Sequence, residues 1–147
     1  MSAGTPVRVV VTRRFDASPE RVFDAWLDPD VVATWMFGPN VRDEEVVRMT
    51  IDGRVGGSFS FVVRRQGQEI DHIGEYVEIE RPKRMVFTWA VRQDQPDTSR
   101  ITIDIVPADG GCELTLIQEL HPSWADYARR AEEAWAKMLA ALARAVG

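Results

Sequence analysis

His72 and Glu75 are the side chains of this sequence best placed for chemistry, since each is a titratable group set among aromatic and branched residues. They lie in an alternating segment, Glu69 to Ile79. Ile70, His72, Gly74, Tyr76 and Glu78 form one face, and Asp71, Ile73, Glu75, Val77 and Ile79 the other. In a regular strand residues three apart face opposite sides, so one of the pair points inward unless Gly74 marks a bulge. Burial raises a glutamate pKa and lowers a histidine pKa, conditions suited to orienting a polar ligand head or to proton transfer. The alternative is a hydrogen-bonded structural residue with no chemistry. Of the neighbours Gln118 and Glu119, one is expected to face a cavity and the other solvent.

Other chemical signatures are weaker. His121 precedes Pro122, and no second His or Cys stands at metal-ligand spacing, so neither a metal nor another cofactor is expected. Gly53-Arg54-Val55-Gly56-Gly57 has neither the Lys-Ser/Thr ending of a phosphate loop nor the order of a dinucleotide turn, and reads as a tight turn or bulge. Ser123 lacks a G-x-S-x-G elbow, and helix capping with Asp126 accounts for it. Cys112, the only cysteine, cannot form an internal disulfide and reads as a buried structural thiol.

The elements that must position these groups follow from period and punctuation. Val7 to Phe15 alternates and is rich in β-branched residues, so it opens the fold as a strand. Ser18-Pro19-Glu20 and Asp28-Pro29-Asp30 are two helix starts, followed by the stripes Val22, Phe23, Trp26, Leu27 and Val31, Val32, Trp35, Met36. From Glu44 to Leu120 the period is two, giving six strands over residues 44–51, 57–65, 69–79, 84–91, 100–107 and 112–120. The turns fall at Asp52-Gly53, Gln66-Gly67, Arg81-Pro82, Gln95-Pro96 and Asp109-Gly110-Gly111. A continuous helix from Trp124 to Val146, about 35 Å long, closes the chain and can lie across the sheet.

A curved sheet under one helix buries its concave face and exposes its convex one. Phe59, Phe61, Val63, Met85, Phe87, Trp89, Val91, Ile101, Ile103 and Ile105 share the inward parity. With Trp35, Trp124, Tyr127, Trp135 and Met138 they put stiff rings between helix and sheet, where such rings either frame a ligand cavity or simply fill the core.

The chain has 147 residues, 45% hydrophobic and 28% charged, which fits one globular domain over residues 1–147 and excludes disordered and collagen-like classes. Its formal net charge of −5 is the wrong sign for a general nucleic-acid binder. No apolar run reaches the roughly 20 residues of a membrane span and no signal core is recognised, so a cytoplasmic protein without a membrane partner is expected.

The element order and five motifs carry a resemblance. These are Arg14-Phe15-Asp16-Ala17-Ser18-Pro19, Val22-Phe23-Asp24-Ala25-Trp26, Asp52-Gly53-Arg54-Val55-Gly56-Gly57, Gly74-Glu75-Tyr76-Val77-Glu78-Ile79 and Arg84-Met85-Val86-Phe87-Thr88-Trp89. In this order they resemble the family named for the C-terminal domain of the activator of heat-shock-protein-90 ATPase, within the START-like helix-grip superfamily. The resemblance implies an α+β helix-grip fold: a curved antiparallel seven-stranded sheet wrapped around a long C-terminal helix, with two short helices after the first strand. It also implies a cavity between helix and sheet suited to a small hydrophobic or aromatic molecule.

Trp35-Met36 stands where relatives often carry paired tryptophans, and the chain has no room for the additional domain of the eukaryotic co-chaperone. The candidate ligand-binding residues are Trp35, Phe59, Phe61, His72, Glu75, Phe87, Trp89, Trp124, Tyr127, Trp135 and Met138. Three functions stay open: a binding module, an enzyme of the polyketide cyclase/dehydrase type using the same cavity, and a chaperone-interacting module. The sequence does not set an oligomeric state.

Overall fold

The computed structural model describes residues 7–39, 41–92 and 98–146. Strand β1 (Val7–Phe15) is followed by helices α1 (Pro19–Asp24) and α2 (Pro29–Trp35). Six further strands come next: β2 (Glu45–Ile51), β3 (Ser58–Arg65), β4 (Gln68–Glu80), β5 (Arg84–Val91), β6 (Ser99–Ala108) and β7 (Gly111–Leu120). A 3-10 segment (Pro122–Tyr127) leads into α3 (Ala128–Val146). The strands form one sheet in the order β1-β7-β6-β5-β4-β3-β2, with every neighbouring pair antiparallel. This is the α+β helix-grip architecture, and its first and last strands are neighbours. No helix among the described residues is long and apolar enough to cross a membrane.

Local chemistry sets the helix starts. The Ser18 hydroxyl accepts from the Arg21 amide at 3.2 Å and the Asp28 carboxylate from the Asp30 amide at 3.0 Å, with a proline following each cap. The strand joints behave similarly. Gln66 and Gly67 both take positive φ in the two-residue β3–β4 turn, the backbone of a primed hairpin turn. The turn expected at Gln95-Pro96 lies outside the described residues.

The C-terminal element differs from the single helix read in the sequence. A break at Trp124 (φ −98°, ψ 15°) interrupts the 3-10 segment Pro122–Tyr127, and only then does a 19-residue α-helix of about 28 Å begin. The cap is also different: the His121 ring, rather than Ser123, accepts the Ser123 amide through Nδ1 at 3.1 Å. His121 bonds the Ser123 hydroxyl as well, at 2.8 Å, so the serine is engaged with the cap rather than serving as one.

The core lies between the concave face and the three helices. α3 buries Ala131, Trp135, Met138, Leu139, Leu142 and Val146 at helical spacing. Aromatic rings tie the layers: Trp26 meets Trp35 edge-on at 4.6 Å and Trp135 at 6.3 Å, while Trp135 meets Trp89 of β5 at 5.5 Å. The convex face is less exposed than expected, since Val62, Val86 and Thr102 are buried on it. Beside Val86 and Thr102, the Arg84 guanidinium bridges Glu78 of β4 and Asp104 of β6, so long charged side chains shield the short ones between them.

Candidate functional site

The pairing of β4 with β3 determines which titratable group faces inward. Phe61 pairs with His72 and Phe59 with Gly74, so His72 shares the concave face with the two phenylalanines. The register shifts between Tyr76 and Glu78, leaving Val77 as the extra, exposed residue and returning Ile79 to the core. Gly74 is therefore not the bulge. It serves close packing: a Cβ there would stand 2.4 Å from the Phe59 ring and 2.0 Å from the Thr88 carbonyl oxygen. Glu75 is exposed on the convex face, and its amide donates to Thr88 Oγ1 at 2.9 Å.

His72 is 8% exposed, its ring between Phe37 at 4.7 Å and Trp89 at 5.5 Å. Its Nδ1 lies 3.1 Å from the Phe61 carbonyl, which can only accept, so Nδ1 carries the proton. Burial pushes the His72 pKa down to about 4, against the opposing effect of the Phe61 bond, and the Arg65 charge lowers it further. At neutral pH Nε2 is thus a lone-pair acceptor, with no hydrogen-bond partner among the described residues.

A half-open cleft of about 440 Å³ lies against this ring. Phe37 and Arg42 enter from the segment after α2, and Arg65, Gln68, Ile70 and His72 from the β3–β4 hairpin. Trp89 and Val91 of β5 and Gln118 of β7 line the sheet side; Tyr127, Ala131, Ala134, Trp135 and Met138 line the helix side. A second pocket of about 250 Å³ shares Trp89, Val91, Gln118 and Tyr127 and adds Ser99, Leu120, His121 and Trp124. The break at Trp124 turns that residue and Tyr127 over the ends of β5–β7, where they meet at 5.8 Å.

One wall is fixed by a relay of buried polar groups. An indole N–H only donates, so Trp135 Nε1 sets the Gln118 amide with its oxygen at 2.9 Å. Gln118 Nε2 then donates to Ser99 Oγ at 2.9 Å, and that hydroxyl donates to the Trp89 carbonyl at 3.2 Å. The chain links α3, β7, β6 and β5 with both Gln118 side-chain atoms partnered.

The structure thus brings together His72, Trp89, Trp124, Tyr127, Trp135 and Met138 around the two adjoining pockets. Trp35, Phe61 and Phe87 pack in the core without lining either pocket, and Phe59 is 4% exposed with its backbone toward the shallow convex depression that holds Glu75. Neighbouring rings close over this group: Trp26, after α1, meets Trp35 and Phe87, and Phe37, after α2, meets Phe61. Of the pair Gln118 and Glu119, Gln118 faces the cleft. Arg42, Arg65 and Gln68 were not singled out from sequence. Arg65 carried a signal all the same, since it continues the parity of Phe59, Phe61 and Val63; Arg42 lies in a loop without a period.

Comparison with known proteins follows the fold. The profile of the family described as Activator of Hsp90 ATPase homolog 1-like protein matches residues 16–147. No curated protein matches the chain. A protein from Chromobacterium violaceum is similar at 26% identity and a TM-score of 0.80, with 95% of this chain and 96% of that one covered. A protein from Rhizobium loti gives the same identity, score and coverage. The AHSA1-like protein from Aeromonas hydrophila, at 19% identity and a TM-score of 0.76 over 95% of this chain and 92% of that one, shares the fold.

Proposed function

We propose, from the premise that the chain belongs to the Activator of Hsp90 ATPase homolog 1-like family, that it binds a small molecule with an apolar or aromatic body in the cleft between the sheet and its C-terminal helix. The observation that carries this reading is the cleft itself, a volume within the roughly 300–1,000 Å³ of small-molecule sites, walled by Trp89, Trp135 and Met138. Flat rings held by packing on both sides offer area at little entropic cost, and His72 Nε2, without a partner among the described residues, offers one acceptor to a ligand N–H or O–H. The Gln118 relay supports the reading in another way, because it holds the Trp135 indole in one orientation whether or not the cleft is filled.

Native mass spectrometry of the protein with the neutral probe N-phenyl-1-naphthylamine tests the proposal, together with a fluorescence titration of the same pair. A one-to-one adduct is expected, and a folded Trp89→Ala variant should bind about tenfold more weakly, in line with loss of a central aromatic contact. Absence of an adduct at the solubility limit of the probe, or an unchanged affinity in Trp89→Ala, would overturn it. Solvent extraction of the freshly purified protein then identifies any molecule it already carries.

A further inference from the structure

The mouth of the cleft has a charge that the chain as a whole does not. The formal net charge of the protein is −5, yet the cleft is lined by Arg42 and Arg65 and, among the described residues, by no carboxylate. The two arginines arrive from different elements and converge on Glu44, whose side chain is 0% exposed while theirs are 25% and 37% exposed. Glu44 Oε1 accepts from Arg65 Nη2 at 2.7 Å and Nε at 3.2 Å; Oε2 accepts from Arg42 Nη1 at 3.0 Å and from the Gly38 amide at 2.9 Å.

One buried anion thus orients two cations and leaves one net positive charge at the rim. Arg42 also donates from Nη1 to the Met36 carbonyl, so three of the five N–H donors of each guanidinium have no partner among the described residues. Guanidinium groups accept nothing, so a ligand group that meets these donors in place of water must bring acceptor atoms. The same arginines lead into the aromatic wall. Arg42 stands over the Phe37 ring at 5.7 Å, Phe37 stacks on Trp89 at 6.4 Å, and Trp89 meets Trp135 at 5.5 Å.

Resting on the cleft reading above, we propose that the ligand is an anionic amphiphile. Its flat apolar body lies along Trp89 and Trp135, and a singly charged acid group, of carboxylate or sulfonate type, is held at the mouth by Arg42 and Arg65. Glu44 is a positioning residue in this arrangement: it touches no ligand and fixes the two guanidinium planes.

Two probes with one skeleton separate the head from the body: 1-anilinonaphthalene-8-sulfonate, which carries a sulfonate, and N-phenyl-1-naphthylamine, which does not. Arg65→Gln should weaken the sulfonate probe about tenfold and change the neutral probe less than twofold. Because that variant leaves the buried Glu44 short of a partner and can lose its fold, Gln68→Glu provides the second test. Gln68 is exposed and lines the cleft, so a carboxylate there should weaken the sulfonate probe to a similar degree without touching the core. Equal losses for both probes, or none for either, in a folded variant would overturn the acid-head assignment while leaving the cleft standing. Failure of the neutral probe to bind wild type would instead remove the cleft reading itself.

Discussion

At the residue scale the informative group is His72, because its environment fixes both its proton and its consequence for stability. An unfolded histidine titrates near 6.5, and in the fold burial holds the His72 pKa at about 4. The unfolded chain therefore binds a proton more readily, so His72 contributes fully above pH 6.5 and its contribution is lost as pH falls from 6.5 toward 4. The whole loss is about 3 kcal/mol. Urea unfolding at pH 7 and pH 4.5 should show a drop in wild type that His72→Gln lacks in large part; parallel drops would mean the ring is not held neutral. The sequence narrowed the inward group to His72 or Glu75 by parity alone. Choosing between them required the pairing of β3 with β4, which places His72 opposite Phe61. Glu44 lay beyond such reasoning, since its partners come from a loop and from a strand end 21 residues away.

Elements were the most legible level. A change of period from helical to alternating is visible wherever one face is buried, and every strand expected from Glu44 to Leu120 forms close to its expected limits. The C-terminal element shows where that reasoning stops. Helical spacing continues through Trp124 and Tyr127, but a histidine ring at position 121 caps a tighter turn, and the chain bends before α3 begins. That bend places Trp124 on the second pocket and so shapes the site.

The β4 strand carries the element-level prediction. Gly74 admits the Phe59 ring where no Cβ fits, with backbone on the other side at Thr88. Gly74→Ala should cost more than about 2 kcal/mol in urea unfolding, because neither the carbonyl nor a ring packed on both sides can yield cheaply. A loss under about 0.5 kcal/mol would mean that the strand moves aside and that Phe59 is not clamped as described.

For the whole molecule, the fold follows from an order of elements that the sequence displays, whereas the cleft depends on how far apart packed layers stand. Trp35, Phe61 and Phe87 share the parity or spacing of residues that line the cleft, yet neighbouring rings cover them, Trp26 on Trp35 and Phe87 and Phe37 on Phe61, and the space opens instead between the β3–β4 hairpin, β5, β7 and α3. Composition cannot reveal that difference, since the same ring serves as core or as wall according to what stands opposite it. The five tryptophans consequently divide into two groups: Trp26 and Trp35, buried without lining the cleft, and Trp89, Trp124 and Trp135, which line the adjoining pockets.

That division gives the most direct test of the central claim, that the cleft between the sheet and the C-terminal helix holds a small apolar molecule. The five indole N–H signals can be followed by two-dimensional NMR while N-phenyl-1-naphthylamine is added. Saturable shifts of the Trp89, Trp124 and Trp135 signals with one shared midpoint are expected, and a Trp35 signal that stays in place. Saturable binding that leaves Trp89, Trp124 and Trp135 all unmoved would show that the molecule binds elsewhere.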